Sequence, residues 1–317
     1  MKKIKLLPLL AVIPMLASCG GKPAKPKFAK FGDEVKVDVF DKKTAEAVKK
    51  SVLDKKEIPS GTIKASTNIY YLTEHKRGNK VMTKSEQHNE GISEVKHDAK
   101  NLVIEGKSTS KSSYVKKSKE GTKNQSAKSV KTYVDQEAKI DSKKYVVSAY
   151  KDSKEFYKIS TIVEGVNSTK GILNTEIRTF LVVGQLLAYT VESGYNSADK
   201  EGKKNYKFYQ NGNIFTIDFK EEIEDESKNF EDKVEYVVKG TNEITVQVQI
   251  EAEKVSYKYF SHREEVYEYK LDTGSNYAKG DVKKEVNRYV AEGEWKKKDV
   301  SLKAVDLSGY TQCGDEW

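Results

Sequence analysis

From residue 62 onward the chain alternates apolar and polar positions with a period of two. Ile63, Ala65, Thr67, Ile69 and Tyr71 point one way, and Lys64, Ser66 and Asn68 the other. That alternation predicts a strand with one wet face. Arg77-Gly78-Asn79 reads as a turn, with 81–88 returning beside the first strand, and Leu102, Val103 and Ile104 mark another over 100–106. The same signal returns over 129–134, 144–150 and 155–163. Asn211-Gly212, between 206–210 and 213–219, predicts a hairpin, because Asn-Gly favours the turn whose twist matches that of paired strands. Strands over 233–239, 243–252, 254–260 and 265–271 follow, with Gly240-Thr241-Asn242 as a turn; 284–290 and 295–302 close the sheet. Pro59 is the last proline, which suits long hydrogen-bonded strands, since proline removes a ladder donor.

Two stretches carry helical spacing instead. Over 41–56, Ala45, Val48, Val52 and Leu53 form one narrow apolar stripe behind Asp41 as a cap. Over 175–193 nearly every helix face is apolar, between Asn174 as cap and Gly194 as stop, so this helix must be buried on more than one side. Residues 107–129 are rich in serine and lysine and read as a long mobile loop or a wet hairpin, to which no structure is assigned.

These elements predict an α+β protein, mostly antiparallel: a large curved meander sheet, like half a barrel, with two helices, the apolar one on the concave face. The β-rich domain spans 38–305, readable as halves 38–166 and 167–305, and 306–317 is a C-terminal tail.

The first residues carry a different pattern. Lys2, Lys3 and Lys5 precede an apolar core over 6–16, eleven residues, broken by Pro8 and Pro14. A membrane-spanning helix needs about 20 apolar residues, so this is an export signal. Leu16-Ala17-Ser18-Cys19 closes it, and the whole resembles a bacterial lipoprotein signal peptide with its lipobox. The resemblance implies cleavage of 1–18 and a diacylglyceryl group on Cys19, two acyl chains being enough for stable anchoring. Residues 19–37 are then the lipidated N-terminus and a flexible tether, with Gly20, Gly21, Pro23 and Pro26 among lysines. The expected place is the cell envelope, on the outer face of the cell membrane or at the outer membrane.

Composition narrows the choice of partners. The 317 residues carry formal charge +9, and losing Lys2, Lys3 and Lys5 leaves about +6. Charged residues at 33% against 37% hydrophobic demand a densely solvated surface, and 19 tyrosines against 10 phenylalanines suit half-exposed sheet faces. A basic excess favours anionic lipid or wall polymer; nucleic acid is not an expected partner outside the cytoplasm. With Cys19 acylated, Cys313 has no partner in the chain, so no internal disulfide forms.

Catalytic chemistry is not legible. There is no Gly-x-Ser-x-Gly elbow and no phosphate-binding glycine loop. His75, His88, His97 and His262 lack metal spacing, and the acidic run 221–226 lacks the glycine of a calcium loop. No metal, cofactor or enzymatic activity is expected. What remains is shape: a curved sheet incompletely covered by an apolar helix leaves a groove for an apolar ligand. Its liners would be Phe180, Leu186, Leu187 and Tyr189 from the helix, and Ile63, Ile69, Tyr71, Val246, Val248 and Tyr257 from strands. The order of anchored cysteine, helix, meander, apolar helix and further strands resembles the LolA/LppX-like carriers, over roughly 38–305. That implies a non-catalytic lipoprotein that binds or carries lipid between sheet and helix. The alternative reading is a surface module whose basic, tyrosine-rich strand faces meet anionic wall polymer or a host or envelope protein.

Overall fold

The computed structural model describes residues 22–273 and 277–314; of 180–192 it describes the backbone alone. The elements run β1 (Asp33–Val35), α1 (Val37–Lys50), β2 (Gly61–Arg77), β3 (Lys80–Asp98), β4 (Val103–Ser118), β5 (Gly121–Ile140), β6 (Lys143–Tyr150) and β7 (Glu155–Thr161). After α2 (Thr169–Ser197) come β8 (Tyr206–Asn211), β9 (Ile214–Lys228), β10 (Val234–Ile250), β11 (Lys254–Tyr269), β12 (Asp281–Lys297) and β13 (Thr311–Gln312). All thirteen strands belong to one open, curved sheet ordered β1-β8-β9-β10-β11-β12-β2-β3-β4-β5-β6-β7-β13. Every neighbouring pair is antiparallel except β13 on β7.

Several strands are longer than the sequence suggested. Residues 107–129 belong to the paired strands β4 and β5, whose register is unbroken from Ile104↔Asp135 to Ser118↔Gly121. Serine and lysine there hide the strand signal, because even the side chains that β4 buries, Ser108, Ser110 and Ser113, are polar. Gly240-Thr241-Asn242 makes no turn; it lies inside β10, where Gly240 lets the backbone of Glu264 pass within 2.0 Å of where a Cβ would sit. Residues 284–290 and 295–302 do not close the sheet at an edge. β12 lies in its middle, between β11 and β2. The first helix begins earlier, at Val37, and Asp41 lies within it rather than capping it.

Strand alternation sorts the side chains into two faces. The concave face carries α2. The start of α2 sits in one apolar cluster, where Leu173 and Ile177 meet Ile63, Val95, Ile104, Val255 and Trp295. Its end sits in another, where Tyr195 packs beside Phe40, Phe208, Ile217, Val246 and Tyr257. A fully buried Leu or Ile of this kind contributes about 1.5–3 kcal/mol, so both ends of the helix are pinned.

The convex face is covered by the chain's two terminal segments. Residues 22–32 do not hang free as the expected tether. They run extended across the sheet: Lys27 O accepts from Lys258 Nζ at 2.6 Å, Lys30 O from Asn211 Nδ2 at 3.0 Å, and Lys25 pairs with Glu243. Gln247 grips Ala29 twice, accepting from its N–H at 2.8 Å and donating to its carbonyl at 3.1 Å. On the other flank, Gln136 does the same for Val305, donating to the carbonyl at 2.8 Å and accepting from the N–H at 2.6 Å. Leu302 N–H donates to Asp98 at 2.8 Å, and Val305, Leu307 and Tyr310 pack on Val147, Ala149 and Phe156. A glutamine amide offers one donor and one acceptor side by side, so it pairs with a passing peptide group as another strand would.

Gln136→Leu removes both bonds to Val305 and leaves its backbone groups facing an apolar side chain. The variant loses about 1–3 kcal/mol of unfolding free energy, and residues 298–313 become cleavable before the rest of the chain. Urea titration with limited proteolysis reads both effects; a variant as protease-resistant as the parent refutes the clamp.

Candidate functional site

The residues expected to line an apolar groove do not share one place. Ile63 lies in the cluster around the start of α2, and Val246, Val248 and Tyr257 lie in the cluster around its end. Ile69 is buried outside both, and Tyr71 faces water, 40% exposed. The side chains of Phe180, Leu186, Leu187 and Tyr189 lie outside the described residues, as does Cys19. Tyr257 is buried so well because it lies across Gly293, its partner in β12; a Cβ there would come within 2.2 Å of the ring. That burial pushes its hydroxyl pKa above the usual tyrosine range. Tyr133 lies across Gly106 on the next flank in the same way.

Above these clusters, toward the ends of the strands marked by Arg77 and Gly121, the concave face changes character. The register aligns Arg263, Asn287, Tyr71, Gln87, Tyr114 and Gln125 in one row across six strands. At about 4.8 Å per strand the row is roughly 24 Å long. The row beneath it reads Tyr289, Ile69, Asn89, Ser112 and Ala127. Around Asn89 the two rows enclose an open groove of about 410 Å³, with Gln87, Ser112, Tyr114 and Gln125 among its walls. Small side chains keep its floor low: Gly91 faces Ser110, and Ser112 faces Ala127.

Asn89 is the singular residue here. It is 3% exposed, and its Nδ2 has no hydrogen-bond partner. Its Oδ1 receives only a long bond, 3.4 Å, from Gln87 Nε2. A buried donor without an acceptor costs about 1–3 kcal/mol, a cost that a bound acceptor would remove.

The upper rim is stapled by Asp281. Its carboxylate accepts from Arg77 Nε at 2.8 Å and Nη2 at 2.9 Å, and from Ala278 N–H at 2.9 Å, and bonds His75 Nε2 at 2.8 Å. The Arg77 guanidinium holds this carboxyl well below the usual range. Tyr277 stacks on Tyr269 at 4.3 Å and edges onto His75, which ties the loop after β11 to the top of β2. His75 and His88 fall on opposite faces, since their pairings are His75↔Thr83 and Tyr70↔His88. Among the described residues no group of three or more His, Cys, Asp and Glu side chains is placed to hold a metal ion. No described helix is long and apolar enough to cross a membrane.

Gln87, Asn89, Tyr114 and Gln125 escaped the sequence reading. Their signal is the polar period of two in Gln87-x-Asn89-x-Gly91 and Ser108-x-Ser110-x-Ser112-x-Tyr114, which is visible only once the strand is assigned.

No protein-family description and no curated protein sequence matches the chain. Among solved structures it is similar to the outer membrane protease OmpT from Escherichia coli, at TM-score 0.23 and 7% identity over 78% of this chain and 100% of that one. It is also similar to a deltaS2 mutant of the monoaromatic hydrocarbon channel TodX, at TM-score 0.27 and 8% identity over 76% of this chain and 91% of that one. A third is OccK7 (OpdD) from Pseudomonas aeruginosa, at TM-score 0.19 and 7% identity over 74% and 98%. Superpositions this loose carry no functional argument.

Asn89→Leu removes the unsatisfied donor at similar volume. The variant gains about 1 kcal/mol of stability or more, read as a higher denaturant midpoint. A lower midpoint would show that Asn89 supports the fold.

Proposed function

We propose that the chain is a membrane-anchored binding protein without catalytic activity, which holds a hydroxyl-rich polymer, a glycan of the cell wall or its surroundings, along the upper concave face. The observation that supports it best is the unsatisfied Asn89 amide inside a groove walled by Tyr114 and the amides of Gln87 and Gln125, with Tyr71 beside it in the same row. Hydroxyl groups donate and accept together, and so do Asn and Gln amides. Tyrosine adds a flat apolar face with a polar tip. One row higher, Lys116 faces Lys123 in register, so phosphate or carboxylate groups on such a polymer would meet positive charge. The anchor in this reading is Cys19, and acyl labelling of cells with palmitate tests it separately: the label is expected on the wild-type chain and absent from Cys19→Ser. A labelled Cys19→Ser chain would remove the anchor.

An apolar ligand beneath α2 takes second place. It is favoured by a helix backbone that crosses the concave face with both ends pinned.

Co-sedimentation with insoluble peptidoglycan or chitin tests the first reading. Aromatic contacts contribute about 0.5–1.5 kcal/mol each, so Tyr71→Ala with Tyr114→Ala lowers retention roughly tenfold. Salt weakens only the share owed to Lys116 and Lys123. A wild-type chain that neither glycan retains, purified with lipid bound instead, would hand the case to the second reading.

A further inference from the structure

A second surface lies along the strand edges; it borders the groove, since Gln125 and Ala127 of β5 belong to both. The short strands β1 and β8 cover only the lower part of one flank: β8 pairs with β9 no further than Tyr206↔Phe219. Likewise β6 pairs with β5 no further than Tyr133↔Tyr150. Above those points β9 and β5 each have a neighbour on one side only, among the described residues. Residues 220–228 and 121–131 are therefore two free strand edges, largely exposed, at the same end of the sheet. Each is about 30 Å long.

The two edges carry opposite charge. Glu221, Glu222, Glu224, Asp225 and Glu226 stand on the first against Lys220 and Lys228. Lys123, Lys128 and Lys131 stand on the second with no acidic residue. Some of the acidic charge has local partners, Glu224 with Lys239 at 2.7 Å and Glu226 with Lys228 at 2.9 Å, but both pairs are exposed and worth little. Charges on an edge discourage strand addition in general. Here they discourage it selectively: acidic edge on acidic edge repels, basic on basic repels, and acidic on basic attracts.

Strand direction agrees. Eight strands run from β9 through β12 and β2 to β5, each antiparallel to the next, so β9 and β5 point opposite ways. A second copy in the same orientation lays its β5 antiparallel to the first copy's β9 at the same height. We propose that the chain self-associates head to tail, the acidic β9 edge of one copy pairing with the basic β5 edge of the next. Such an interface is heterologous and leaves one edge of each sign open, so copies add in rows or close into a ring.

Sedimentation velocity on the full chain carrying Cys19→Ser tests this. The expected result is an average mass that rises with protein concentration at low ionic strength and falls back as salt is added. Lys123→Glu/Lys128→Glu/Lys131→Glu alone stays monomeric, and so does Glu221→Lys/Glu222→Lys/Asp225→Lys alone; mixing the two restores association. Circular dichroism melts matching the parent certify that both variants fold. Should either fail to fold, the salt series on the parent decides. A parent that stays monomeric at every salt and concentration overturns the proposal, as does association that ignores salt or survives either charge reversal.

Discussion

The pairing of β12 with β2 is the contact on which the rest depends. It runs in unbroken register from Gly61↔Lys297 to Arg77↔Asp281 and joins two meanders, β2–β7 and β8–β12, that would otherwise be separate sheets with exposed inner edges. The cluster at the start of α2 exists only because of this seam, since Ile63, Val95 and Ile104 come from one meander and Val255 and Trp295 from the other. Trp295 packs over Gly61, where a Cβ would meet the indole nitrogen at 2.7 Å. Its buried Nε1–H goes without a partner. That costs about 1–3 kcal/mol, less than the 3–5 kcal/mol that removing such an aromatic from a core typically loses, so apolar burial wins. Because its partners lie so far apart in sequence, the seam closes a very long loop, which makes for slow folding.

The long strands do two jobs along their length. At the lower end both faces are covered, by α2 inside and by the terminal segments outside. Higher up the apolar clusters shrink to a small one, Tyr70, Leu72 and Val286 on the convex face. Stability in that part comes from ladder hydrogen bonds and cross-strand pairs such as Lys284–Glu264 and Lys111–Glu90, each worth a few tenths to about 1 kcal/mol. The abundance of lysine, glutamate and tyrosine thus follows from the architecture: a wet sheet needs side chains that tolerate water on one side and a neighbour on the other.

How much of this could be read from the sequence depends on whether a face is dry. Where one face is buried, as over 63–71 or 244–250, alternation of apolar residues gave the strand and its inward side. Where the buried positions are serines, as Ser108, Ser110 and Ser113, or the strand is exposed, as over 121–131, the same backbone carries no apolar signal. Gly240 was misread because a glycine that admits a neighbouring backbone looks like one that turns. The terminal segments were misread because what holds them, Gln247 and Gln136, are single polar residues far away in sequence. The groove was hidden for the related reason that Asn89 and Tyr114 become neighbours only through register. Ile63, Val246 and Tyr257 were correctly read as inward-facing, but facing inward does not say which of two clusters a side chain joins.

The path of residues 22–32 also constrains how the proposed anchor would present the molecule. Lys22 sits over the Tyr70 ring at 5.9 Å, on the convex face. Only Gly20 and Gly21 separate it from Cys19, and those three steps reach only about 10 Å even when fully extended. An acylated Cys19 therefore draws the convex face close to the bilayer, where Lys22, Lys25, Lys27 and Lys30 on the same segment would each gain about 1 kcal/mol beside anionic headgroups. The concave face, with its tyrosines and amides, then points away from the membrane. A free spacer would leave orientation open; on a chain acylated at Cys19, a segment clamped by Gln247 would fix it, with the groove turned away from the bilayer.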